Sequence, residues 1–162
     1  MHQLTNEEIL KIIYPNRYDI AVKYKYFSDL HKGVKSISAS KGMYQWHINK
    51  RTGGKEPKSQ KITLADYIDA CYALLRSMDS NGYNEFYPIK IDSNYNLHGG
   101  AHRLSCAVLL HLPICAEVKV TTKTPRLWDK QWFIDKGLDN ISLVKIECYM
   151  LELMEEVNNA TR

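Results

Sequence analysis

The chain has 162 residues, 44% of them hydrophobic, and a formal net charge of +4. That length suits one domain with a real core. No run of about 18 apolar residues occurs, so no transmembrane helix is expected. The mild charge also lacks the clustered basic stripe expected of a dedicated nucleic-acid binder.

In chain order, Thr5 caps a helix over residues 6–13, with Glu7 and Glu8 near its positive end and Pro15 after it. A second helix runs from about Arg17 to His31 and stops at Gly33, with Ile20, Tyr24, Phe27 and Leu30 at helical spacing. A third covers about Ser40 to Asn49 and carries Tyr44, Trp46 and Ile48. The basic stretch KRTGGKEPKSQK, residues 50–61, reads as a solvated loop that serves either solubility or contact with phosphates. The clearest helix spans 64–79, opened by the capping-box pair Thr63 and Asp66 and closed by Gly82.

The period then changes. YPIKI (87–91) alternates like a strand, DSN (92–94) is a turn favoured by Asp92, and YNL (95–97) returns as the second arm of a hairpin. A helix over 101–112 follows, closed by Pro113, and ICAEVKV (114–120) forms a third strand. Two more helices cover 127–136 and 141–157, separated by Gly137. The expectation is an α+β domain with a small mixed sheet: a β-β-α-β core at 61–122, a helical extension at 1–60 and C-terminal helices at 123–162.

Cys71, Cys106 and Cys148 fall in apolar helical patterns and Cys115 in a strand pattern, with no CxxC pair. Buried free thiols in a reducing compartment are expected, with no metal site. The N-terminus MHQLTNEEILKII lacks the basic-then-apolar layout of a signal peptide, so the expected location is cytoplasmic.

The stretch that carries chemistry is GGAHRL, residues 99–104. Two glycines at a strand-to-helix turn let the backbone bend and a ligand approach closely. The unpaired amides of the helix start attract anions. His102 and Arg103 in the first turn are two potential cations at a positive helix end, an arrangement that suits an anion between them, and Arg can hold phosphate bidentately. Asp19 and Lys23, four residues apart, share a helix face. They read either as a surface ion pair or, set against the phosphate site, as catalytic acid/base and charge clamp; Asp19 then either holds Mg²⁺ or accepts a hydroxyl proton. His98 either contacts a ligand or is satisfied at a strand end. Trp128, Trp132 and Phe133 either stack on a base or pack.

Strand, turn, strand, Gly-Gly-x-His-Arg-Leu, helix, Pro, strand: this order resembles the ParB/sulfiredoxin superfamily, whose GxHR or GxxR box opens a helix and holds nucleotide phosphates. Sulfiredoxins carry Gly-Gly-Cys-His-Arg; Ala101 stands at the position of their nucleophile, which excludes sulfinic-acid repair. The partition proteins add a helix-turn-helix domain and a dimerisation tail, and no room for both is expected after residue 120. The free-serine kinases of this fold carry an Asp-Gly-His box, and Gly99 takes the Asp position. The chain is most similar to small ParB-like proteins of bacterial capsule and lipopolysaccharide gene clusters, through RYDIAVKYKYF (17–27), GGAHRLSCAVLL (99–110) and QWFIDKGLDN (131–140).

The resemblance implies a nucleotide-binding protein that moves phosphate from ATP or ADP to a small hydroxyl acceptor such as a sugar or glycan intermediate. CTP is a further candidate nucleotide, and Mg²⁺ would bridge the phosphates. Gly99, Gly100, Ala101, His102 and Arg103 would bind phosphate, and Asp19, Lys23 and His102 would serve catalysis. The alternative is a nucleotide-switched, DNA-associated or regulatory module without phosphoryl transfer.

Overall fold

A computed structural model describes residues 1–14, 17–33, 37–55 and 59–160. Pro15 and Pro57, read from the sequence as a helix stop and a loop residue, lie outside them. The chain forms an α+β fold: β1 (His2–Gln3), α1 (Asn6–Ile13), α2 (Tyr18–His31), α3 (Ser38–Thr52), α4 (Leu64–Asn81), β2 (Ile89–Ile91), β3 (Leu97–Gly99), α5 (Ala101–Leu109), β4 (Cys115–Val118), α6 (Lys130–Asp135) and α7 (Asn140–Asn159).

The sheet is small and mixed, in the order β1-β4-β2-β3. β2 pairs antiparallel with β3 and parallel with β4, and β1 pairs antiparallel with β4. The parallel β2–β4 pair requires the chain to cross over between them, and α5 occupies that connection. β1 has no counterpart in the sequence reading.

Capping sets several boundaries. Thr5 and Thr63 each accept a hydrogen bond from the third backbone amide of their helix, and Glu8 and Asp66 reach back to complete capping boxes. Asp129 and Asp139 cap α6 and α7. Gly53, at φ +66°, ends α3 three residues later than expected. This corrects the solvated-loop reading of 50–61 at its first three residues only: Lys50 and Arg51 sit in the last turn of α3, where basic side chains complement the helix dipole.

The second hairpin arm also moves. Tyr95 takes φ +62° and stays in the turn, so pairing starts at Leu97 instead of Tyr95. The Asp92 carboxylate holds this turn by accepting from the Asn94 and Asn96 amides, and it bears the structural role read for it. α5 stops at Leu109, short of Leu112, and His111 adopts φ +52° in the turn that follows.

α2 is the central element. Ten of its fourteen residues are buried, and it packs on α3, α5 and α7 around one apolar core that includes Ile20, Phe27, Tyr44, Leu104, Val108, Phe133 and Leu153. Burying a helix on so many sides forces its polar residues inside as well. Arg17, Asp19, Lys23 and Ser28 are all buried. Three cysteines are buried as expected; Cys148 is exposed on the outer face of α7, because the core stripe of that helix runs through Ile146, Tyr149, Met150 and Leu153. Among the described residues no helix is long and apolar enough to cross a membrane.

Candidate functional site

The Gly-Gly turn is tight for a steric reason. Gly100 has φ +97°, a conformation side chains rarely adopt. A Cβ there would lie 2.8 Å from Ile89 Cγ2 and 3.1 Å from the Ile89 Cα. Gly99, paired with Lys90 on the sheet, has an ordinary φ and room for a Cβ, so the two glycines are not equivalent. No side chain caps the start of α5. The amides of its first turn therefore keep their hydrogen-bonding capacity and the positive end of the dipole.

Adjacent helical residues diverge by about 100°, and His102 and Arg103 accordingly face different ways. His102 turns toward α2, α3 and α4. Its Nε2 lies 2.8 Å from the Tyr44 hydroxyl, and its ring meets Phe27 and Tyr44 edge-on. The Cys71 thiol donates to the same Tyr44 oxygen at 3.2 Å. The arrangement in which every proton finds an acceptor has Tyr44 donating to Nε2 and the imidazole proton on Nδ1. Arg103 turns to the other side, where its guanidinium donates to the Pro88 carbonyl at 3.4 Å.

Burial, reinforced by Lys23, Lys61 and Arg51, holds the His102 imidazole well below its usual pKa. The expectation of two cations at this helix end is thereby corrected: His102 is neutral at physiological pH, and the permanent charge there is Arg103.

The Asp19–Lys23 pair is a buried cluster, not a surface ion pair. Arg17 Nε and Nη2 grip the carboxylate at 2.7 and 2.9 Å, and Lys23 Nζ reaches Oδ2 at 3.0 Å. All three side chains are at most 4% exposed. Arg17 Nη1 also donates to the Leu97 carbonyl at 3.3 Å. Leu97 begins the strand that runs into the Gly-Gly turn, so one guanidinium ties α2 to the approach of α5. On α5 itself, the Ser105 hydroxyl donates to the Ile20 carbonyl. Residues 80 positions apart are brought to one place by these contacts.

Two cations on one carboxylate change its chemistry. Asp19 is buried, which alone would raise its pKa, but Arg17 and Lys23 more than offset this and hold it far below the carboxylate range. A carboxylate so engaged is a poor proton acceptor, and with two cations already on its oxygens it does not fit as an Mg²⁺ ligand. Lys23 is pushed the other way: burial, with Arg51 nearby, lowers its pKa against the pull of Asp19.

Further residues belong to this site that the sequence reading passed over. Tyr44, His47 and Arg51 follow at i, i+3 and i+7 and share a face of α3, a spacing visible in the sequence. His47 is fully buried, stacked on Phe133 at 5.3 Å, and neither ring nitrogen has a hydrogen-bond partner among the described residues. Trp128 lies over Arg17, Lys23 and Arg51, with ring centroids 5.7, 6.0 and 5.1 Å from the cations. Trp128 therefore covers the cluster through cation–π contacts. Trp132 and Phe133 pack against Trp46 and His47 in the aromatic layer beneath.

His98 is satisfied by the Asp92 carboxylate at 2.9 Å. That contact and the turn amides hold the Asp92 pKa down at about 2, despite partial desolvation. Among the described residues no group of three or more His, Cys, Asp or Glu could hold a metal ion. No family model, no curated protein and no solved structure matches the chain.

Proposed function

We propose that this chain binds a purine nucleotide at the turn of residues 99–103, on a ParB/sulfiredoxin-like core, and passes phosphate from ATP or ADP to a small hydroxyl acceptor. A sugar or glycan intermediate is the acceptor class that the resemblance suggests. The observation that carries this reading is the buried Arg17–Asp19–Lys23 cluster standing beside the uncapped start of α5. Two cations share one carboxylate there, which leaves positive charge next to helix amides suited to phosphate.

In this reading the amides of Gly99, Gly100 and Ala101 cradle phosphate oxygens. Arg103, held by a single long hydrogen bond, swings from Pro88 to the phosphates. Lys23 offsets charge on the transferred group. Asp19 orients Arg17 and Lys23, which is the role its engaged oxygens suit. Neutral His102, its Nε2 taken by the Tyr44 hydroxyl, orients the acceptor; the acceptor oxygen attacks phosphorus as the bond to the leaving nucleotide breaks, and the acceptor proton passes to an oxygen of the transferred phosphoryl group. Mg²⁺ arrives with the nucleotide and neutralises its phosphates.

Thermal stability measured with ATP, ADP and CTP, each with and without Mg²⁺, tests the binding step. A ligand at a hundredfold excess over Kd adds about 2.7 kcal/mol. Arg103→Ala should weaken that effect. No stabilisation by any nucleotide overturns the reading, and steeply salt-dependent retention of DNA would favour the regulatory alternative instead.

A further inference from the structure

On the α4 side of His102 the structure leaves a cavity of about 80 Å³. Its polar wall is made by Tyr44, Lys61, Tyr67, Cys71 and His102, and Leu74 contributes to the apolar wall. Three of these polar groups are already committed to one another: the Cys71 thiol donates to Tyr44, and the Tyr44 hydroxyl is hydrogen-bonded to His102 Nε2. Tyr67 is different. Its side chain is 1% exposed, and its hydroxyl has no hydrogen-bond partner among the described residues. A buried hydroxyl without a partner is costly, and native structures rarely keep one that serves nothing. Lys61 Nζ stands over the same ring, 5.1 Å from its centroid.

We infer that this cavity is a binding site for a single oxyanion group, phosphate or carboxylate, held by the Tyr67 hydroxyl and the Lys61 ammonium. Size sets the upper limit. The volume equals roughly two or three water molecules, which admits one oxyanion and excludes a nucleotide or a sugar ring. Charge sets the sign. Lys61 contributes an ammonium to the wall, and among the described residues no carboxylate lines it. Geometry sets the consequence. An oxyanion on Tyr67 lies against the His102 and Tyr44 side chains, which line the same wall, so it is presented to the chemistry proposed for the helix start.

The inference shares His102 with the nucleotide reading but does not require a nucleotide. Two sources supply this chemistry: the terminal phosphoryl group of a nucleotide, or an anionic group on a separate ligand.

The test is a titration of the full chain with inorganic phosphate, followed by calorimetry or ³¹P line width. The wild-type protein should bind phosphate. Tyr67→Phe, which removes one oxygen and leaves the ring, should weaken binding about tenfold or more, and Lys61→Met should do the same. Far-UV circular dichroism of both variants checks that they fold. Competition then separates the sources. Displacement of phosphate by ATP but not by ADP assigns the cavity to the terminal phosphoryl group; displacement by neither assigns it to a separate anionic ligand. Absence of phosphate binding to the wild-type chain, or equal binding by both variants, overturns the inference. Binding of ADP with no phosphate binding would defeat it alone and leave the nucleotide reading standing, and the reverse result would do the opposite.

Discussion

The Tyr44 hydroxyl and His102 Nε2 lie 2.8 Å apart, one from the helical N-terminal third and one from the first turn of α5. With Cys71 donating to the same Tyr44 oxygen, the direction that gives every proton an acceptor has Tyr44 giving and His102 receiving. The prediction is an Nδ1–H imidazole. Two-dimensional ¹⁵N–¹H spectra of the histidine rings check this directly, and a protonated Nε2 at neutral pH would contradict it.

Tyr44→Phe should follow from the same contact. It strands Nε2 and the Cys71 thiol in a largely buried place, so the expected loss is about 1–3 kcal/mol in denaturant unfolding. The ring contacts with Tyr26, at 5.1 Å, survive the change. A loss well above that range would mean Tyr44 does more than bridge the two groups.

Asp19→Asn should be far more damaging. It leaves Arg17 and Lys23 buried without their counter-charge, and breaking a buried pair in this way costs about 3–5 kcal/mol. Replacing Lys23 with Met should cost less, because Asp19 keeps its two-point grip on Arg17. Urea midpoints for both variants give the order, and equal losses would overturn the claim that Arg17 alone still satisfies Asp19.

Acid sensitivity follows from His47. Its folded pKa lies well below the usual 6.5, because burial and the cations Lys23, Arg51 and Arg17 outweigh the pull of Asp19. The unfolded chain then binds the proton that the folded chain refuses. Stability is present above the unfolded pKa of about 6.5 and falls as pH drops below it, by up to about 1.4 kcal/mol per pH unit from this residue. His102 acts in the same direction. Asp19, depressed in the fold, begins to add its own loss only below about pH 4. His47→Phe should flatten the slope between pH 6 and 4, as measured by urea midpoints; an unchanged slope would assign the effect elsewhere.

Gly100→Ala combines a left-handed backbone with a clash against Ile89. The backbone term is about 1–2 kcal/mol and overpacking adds about 1–3 kcal/mol. Gly99→Ala, with its ordinary φ and nearest contacts at 3.9 Å on the Lys90 side chain, should be nearly neutral for stability. If the two alanine variants unfold at the same midpoint, the sterics described for this turn are wrong.

The sequence by itself determined the kind and order of the longer elements, because those signals are local. Thr5, Thr63 and their acidic partners mark helix starts, Gly82 and Gly137 mark stops, and the switch from a helical to an alternating period at YPIKI marks the sheet. It also singled out Asp19, Lys23 and the Gly-Gly-Ala-His-Arg turn as residues of interest. Only the tertiary structure decided where they stand. β1 is two exposed residues whose strand character comes wholly from pairing with β4, so no pattern announces it. Lys23 looks like any surface lysine until α3, α5 and α7 close around α2 and exclude water from it. His102 and Arg103 are neighbours in sequence, yet the helical turn sends one into the core side and the other toward Pro88. Charge state, too, was decided by packing: burial made His47 and His102 neutral and the shared cations kept Asp19 ionised, since desolvation and partner distance exist only once the chain is folded.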